Sequence, residues 1–149
     1  MLSPYEDLLT ALAEHAGLEA PALLATEEIV LNDLPIGLQL CGEGEQSDVV
    51  LCSLLGPVPA DRWPELSRQL LMANHLWAGT GGATLGVLDE DHTVSVSARR
   101  PLHELDAGQL GLLLVHFAKI GQAWRDFISQ AHSPSPAPAW PESLAGMRV

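Results

Sequence analysis

Apolar and polar positions along the chain change period several times, and each change marks a new element. Leu8, Leu9, Leu12 and Ala16 recur three and four residues apart, the spacing of a helix with one buried face. Ser3, Pro4 and Glu6 ahead of them supply an N-cap, a preorganised first position and a capping-box partner, and Gly17 offers a stop. A loop containing Pro21 follows, then three strand-like runs: "EEIVLND", "PIGLQLCG" and "DVVLCSLLG". Ile36, Leu38 and Leu40 alternate cleanly in the second run, which predicts one buried face, and "GEGEQS" joins the second run to the third as a hairpin. Trp63, Leu66, Leu70, Asn74 and Trp77 return to helical spacing behind a candidate N-cap at Asp61, with Pro64 tolerable in the first turn. "ATLGVLDED" and "HTVSVSARR" read as two more strands joined by a turn at residues 89–91. The final helix opens on a capping box, Asp106 and Gln109, and carries Leu110, Leu113, Leu114, Phe117, Trp124 and Ile128.

The predicted order is αβββαββα, an α+β fold in which three helices cover one face of a five-stranded antiparallel sheet. The opposite sheet face then needs cover from a second subunit or a bound chain. Residues 1–131 form the expected domain. Residues 132–149, including "SPSPAPAWPESLAGMRV", are proline-rich and aperiodic, the composition of a flexible tail.

Four glycines (Gly79, Gly81, Gly82, Gly86) crowd the stretch "HLWAGTGGATLGVLDED" and raise the question of a phosphate loop. No lysine occurs from 69 to 118, so a P-loop is excluded, and Thr84 occupies the last glycine position of a dinucleotide fingerprint. The helix also precedes the strand, the reverse of the required order. The mechanical reading is that Gly79 closes the helix in a left-handed cap and Gly81–Gly82 reverses the chain. His15, His75, His92, His103, His116 and His132 fall on different elements without metal-ligand spacing. Asp89, Glu90 and Asp91 lack the spacing of a calcium loop, and Ser53, Ser95 and Ser97 sit in strands rather than in a nucleophile elbow. No catalytic residue, metal site or cofactor is expected. Trp63 and Trp124 read as core, Trp77 as core or subunit contact, and Trp140 as idle or a docking anchor.

The 149 residues carry 19 acids against 7 bases, a net charge of −12, and no Lys or Arg precedes Arg62. Such a surface repels phosphate backbones and anionic lipid, which argues against nucleic-acid partners. No apolar run approaches the ~20 residues of a membrane helix, so no membrane insertion is expected, and the N-terminus lacks the basic region of a secretory signal. Cys41 and Cys52 match no metal or redox spacing and read as reduced structural thiols.

The runs "LLMANHLWAGTGGATLGVLDEDHTVSV" and "RPLHELDAGQLGLLLVHFAKIGQAWRD" strongly resemble the class I chaperones of bacterial type III secretion, the CesT-like group. Asn74, Gly79, Gly82, Leu85, Gly86, Asp89, Leu102, Leu105 and Asp106 sit where that family's pattern places them. The resemblance is clearest over 61–130, looser over 1–60, and does not include the tail. It implies a cytoplasmic bacterial homodimer without ATPase activity, which holds the N-terminal segment of one or a few secreted effectors in a non-globular, soluble state for delivery. The chain is then no enzyme. Apolar grooves and strand edges are what such a binder needs. Leu8, Leu12, Ile29, Leu31, Ile36, Leu38 and Leu40 are the effector-binding candidates. Family habit maps the dimer contact onto Leu70, Asn74, Trp77, Leu85 and Val87. Two rivals stay open: a regulator of the same fold that sequesters a secretion-control protein, and a small metabolite-binding domain or enzyme, which would need a polar cleft.

Overall fold

Reciprocal hydrogen bonds begin the first helix, α1 (Pro4–Ala16): the Glu6 amide donates to Ser3 Oγ at 3.2 Å and the Ser3 amide donates to the Glu6 carboxylate at 2.7 Å. The Ser3 backbone and hydroxyl contacts hold the Glu6 carboxyl below its usual range. Gly17 ends the helix in the left-handed conformation, with the Leu18 amide reaching back to the Ala13 carbonyl. The computed structural model describes residues 1–130; the proline-rich segment from 132, with Trp140, lies outside them.

The strands are β1 (Glu28–Leu31), β2 (Leu34–Cys41), β3 (Asp48–Pro57), β4 (Thr84–Val87) and β5 (Thr93–Pro101), in one antiparallel sheet of order β1-β2-β3-β5-β4. The helices are α1, α2 (Ala20–Thr26), α3 (Trp63–Asn74) and α4 (Ala107–Gln130). The class is α+β as expected, with one helix more. The Pro21 stretch is α2 rather than loop, because proline at the first turn sacrifices no hydrogen bond and its fixed φ suits a helix start. Seven residues with a single buried side chain, Leu23, are too short to display a period.

Two compact units divide the chain, and β3, β5 and α4 run through both. The first contains Met1–Cys52 and Arg99–Ala118. In it β1 and β2 meet through Asn32 and Asp33, both at positive φ, the two-residue turn whose twist suits a hairpin. Leu34, Ile36, Leu38, Val49 and Leu51 point inward from β2 and β3 and are buried with Leu9, Leu12 and Leu110. Cys41 stands opposite Asp48 and Cys52 opposite Gly37. Four residues of offset place the thiols ~13 Å apart, beyond the ~7 Å reach of a disulfide, so they cannot bridge within the chain. Arg99 pairs with Asp48, and the Leu102 amide donates to the Ser47 carbonyl.

The second unit contains Ser53–Ala98 and the chain from Lys119. Its first helix, α3, is capped by Arg62 without a side-chain bond, so Asp61 is not the N-cap; Pro64 does sit in the first turn. The helix stops at Asn74, and the left-handed residues behind it are Leu76 (φ 50°) and Trp77 (φ 54°). Gly79 is not among them, which corrects the expected glycine cap. Gly81 and Gly82 do turn at positive φ. The Gly79 carbonyl instead accepts the buried Trp124 indole N–H at 2.9 Å, while its amide donates to Ala73. Trp124 is fully buried as expected, whereas Trp63 is only half-buried and stacks on His92 at 4.3 Å. Asn74 ties α3 to β4: its amide donates to the Leu85 carbonyl at 2.8 Å, and its carbonyl accepts the Leu85 N–H at 2.9 Å. The Asp89 carboxylate accepts from the Asp91 and Thr93 amides and closes the β4–β5 turn. The helix α4 opens on the reciprocal Asp106–Gln109 box.

Candidate functional site

Among the grooves of the first unit, two contain residues expected to bind a client. One, of ≈ 390 Å³, lies among the end of α1, the edge strand β1 and the first turns of α4. Buried Leu12, Ile29 and Leu114 form its floor, while Leu18, Val30, Leu112 and Val115 stand exposed around it. His15 is the one polar side chain on its walls, so it suits apolar side chains. The other groove, of ≈ 580 Å³, is bounded by the start of α1, Leu40 at the end of β2, the turn at Gly44–Ser47 and the segment Leu102–Leu105. It mixes apolar Tyr5 and Leu8 with polar Ser3, Glu45 and His103. The Tyr5 phenol is buried without a hydrogen bond of good geometry, and burial, then the nearby Glu27 carboxylate, pushes its ionisation upward.

The expected effector-binding residues divide on this geometry. Leu12, Ile29 and Leu31 line the first groove, and Leu8 and Leu40 line the second. Ile36 and Leu38 line neither; both are buried beneath the sheet, and their side chains are closed to solvent. An alternating strand announces a buried face without saying what buries it. Leu18, Val30, Leu112, Val115, Gly108 and Gly111 escaped the sequence reading. A signal existed for two of them: Leu112 and Val115 are apolar positions off the buried stripe of α4, and they are 74% and 49% exposed.

The second unit presents a different surface. Leu71, Met72, Leu76, Trp77, Val87 and Leu88 are exposed large apolar residues from the end of α3, the turn behind it and β4. Of the expected dimer residues, Trp77 and Val87 belong to this group, while Leu70 and Leu85 are buried inside the protomer and Asn74 is engaged with Leu85. Bulky residues at positive φ cost about 1–3 kcal/mol each, so Leu76 and Trp77 hold strain while exposing their side chains.

The charge is as unequal as the surfaces. The first unit holds twelve acids against Arg99 and Arg100, a net of −10 out of the −12 of the whole chain. The grooves therefore sit in a negative field with little internal neutralisation. Among the described residues, no helix is long and apolar enough to cross a membrane and no three His, Cys, Asp or Glu side chains converge as a metal site would require.

Residues 7–125, most of the chain and all of the first groove's walls, match the model of the Tir chaperone protein (CesT) family. The chain belongs to the CesT family. No curated protein matches the sequence. Among solved structures, a chain of the HopA1–SchA chaperone–effector complex is 16% identical with a TM-score of 0.64, covering 83% of this chain and 94% of that one. A chain of the ExsC–ExsE complex is 17% identical at a TM-score of 0.66, covering 83% and 92%. A chain of the complex between the Yersinia pestis type III secretion chaperone SycH and a stable fragment of YscM2 is 16% identical at 0.56, covering 79% and 97%. At these identities the likeness establishes the fold, and the family match assigns this CesT member to the chaperones.

Proposed function

We propose that the protein is a cytoplasmic type III secretion chaperone that acts as a homodimer and binds the N-terminal segment of one or a few secreted effectors. Binding is the whole mechanism, with no bond made or broken. Side chains of the extended client enter the two grooves, and apolar burial offsets the ordering cost of the segment, which can reach several kcal/mol. The observation that carries this reading is the first groove, whose floor is buried core and whose rim is exposed leucine and valine. An enzyme would instead converge polar groups on one cleft. The exposed group around Trp77 and Val87 supports a separate self-association surface. Solved relatives in complexes with effectors or protein fragments agree with a chaperone that holds a partner chain.

The test is capture from the native bacterium under secretion-inducing conditions. A secreted protein should co-purify near stoichiometry, and deletion of its N-terminal segment should abolish recovery. Val30→Asp together with Leu112→Asp should do the same without unfolding the chaperone. Recovery that persists in the double variant refutes the groove as the binding site.

A further inference from the structure

Client binding makes no use of the residues after α4, and a surface near their start is apolar. Leu71 and Met72 from the end of α3, Leu76 and Trp77 from the turn behind it, and Val87 and Leu88 at the end of β4 all stand in solvent. The Asn74–Leu85 hydrogen bonds hold α3 against β4, so these side chains belong to one surface. Contiguous exposed apolar surface marks a place where another chain sits. The left-handed backbone at Leu76 and Trp77 points the same way, because strain of that kind clusters at contacts and switches. The end of α4 lies beside this surface: the Trp124 indole N–H donates to the carbonyl of Gly79, two residues past Trp77. Six residues of helix, about 9 Å, lead from Trp124 to Gln130. Nineteen residues then follow, and they include Trp140, Leu144, Met147 and Val149.

We infer that residues 131–149 dock on this surface of their own protomer, with Trp140 as anchor, and compete for it with the second copy of the chain. The inference rests on the self-association reading and adds its control. Ten residues lead from Gln130 to Trp140 and span at most ~33–36 Å, so the tryptophan reaches the turn at Leu76 and Trp77. Pro134, Pro136, Pro138 and Pro141 limit the conformations that docking must freeze out. Asp89, Glu90 and Asp91 stand exposed directly after Leu88, and Arg148 near the end of the segment carries the matching charge. A tethered segment acts at an effective concentration on the order of mM, so an intrinsic affinity near ~0.1 mM keeps it docked about ten to one. Both protomers must release it in order to pair, which weakens the dimer about tenfold for each, or about a hundredfold together. The docked segment shields the apolar surface of the separated protomer, and dimerisation displaces it.

The test compares the full chain with Trp140→Ala and Trp140→Asp by analytical ultracentrifugation over a dilution series. Both variants should dimerise about ten- to a hundredfold more tightly than wild type, because the segment no longer competes. In trans, a synthetic peptide of residues 131–149 at millimolar concentration should dissociate the Trp140→Ala dimer, and the same peptide carrying Trp140→Ala should not. Dimers of equal affinity in all three proteins overturn the inference and leave self-association standing. A weaker dimer in the variants also overturns it, since the segment would then belong to the contact between copies. Three proteins that stay monomeric at every concentration refute the self-association reading instead, and docking is then read directly. In the full chain labelled with 5-fluorotryptophan, the Trp140 fluorine resonance should differ from that of the free peptide and move to the peptide's position in Met72→Asp. A resonance already at the peptide's position in wild type overturns the docking as well.

Discussion

Asn74 closes the outer edge of β4 by offering the Leu85 N–H and C=O the pattern a neighbouring strand would present. Each bond contributes about 1 kcal/mol net, and stranding partly buried backbone groups adds to that when the amide is lost. Asn74→Ala should therefore destabilise by about 2–4 kcal/mol, read as a lower urea midpoint at fixed protomer concentration. Asn74→Asp makes the sharper case. A carboxylate still accepts the Leu85 N–H but faces the Leu85 carbonyl with no proton to donate; the protonated acid can supply one. The neutral form is favoured in the folded state, so the folded pKa lies above the ordinary ~3.9. A raised folded pKa contributes stability that is present below ~3.9 and lost as pH rises through the folded value. The deficit of Asn74→Asp against wild type should thus be small near pH 3.5 and full at pH 7, measured by urea titration at matched pH. A deficit independent of pH, or an alanine variant within about 0.5 kcal/mol of wild type, would refute this account of the edge.

Other residues give independent checks. Trp124→Phe removes the indole bond to the Gly79 carbonyl and leaves a buried void, so urea midpoints should report about 2–4 kcal/mol of lost stability. Tyr5→Phe removes a buried hydroxyl that lacks a well-formed partner, and its denaturation curve should match or exceed wild type; a loss above ~1 kcal/mol would show a real bond to Glu27. Leu76→Asp places a charge on the exposed apolar group of the second unit, and light scattering should show a dimer converted to monomer; an unchanged mass moves the association surface elsewhere.

The sequence by itself determined what depends on neighbours a few residues away. Leu8, Leu9 and Leu12 specify the buried face of α1, and both capping boxes, Ser3–Glu6 and Asp106–Gln109, form with both reciprocal bonds because each is complete within four residues. Alternation in β2 likewise separates inward Ile36 and Leu38 from outward Pro35 and Gln39. The glycine stretch turns the chain, although the left-handed residues fall at Leu76, Trp77, Gly81 and Gly82 rather than at Gly79. Trp124, distant in sequence, takes the Gly79 carbonyl, and no local pattern encodes that bond. The grooves are the clearest case of what tertiary structure alone decided. Leu12, Ile29 and Leu114 meet on one floor because α1, β1 and α4 pack together, and that packing leaves Leu112 and Val115 in solvent. Hydrophobic patterning reports that a residue prefers to leave water. Which surface receives it, its own core or another chain, is set by the space that remains once every other side chain is placed.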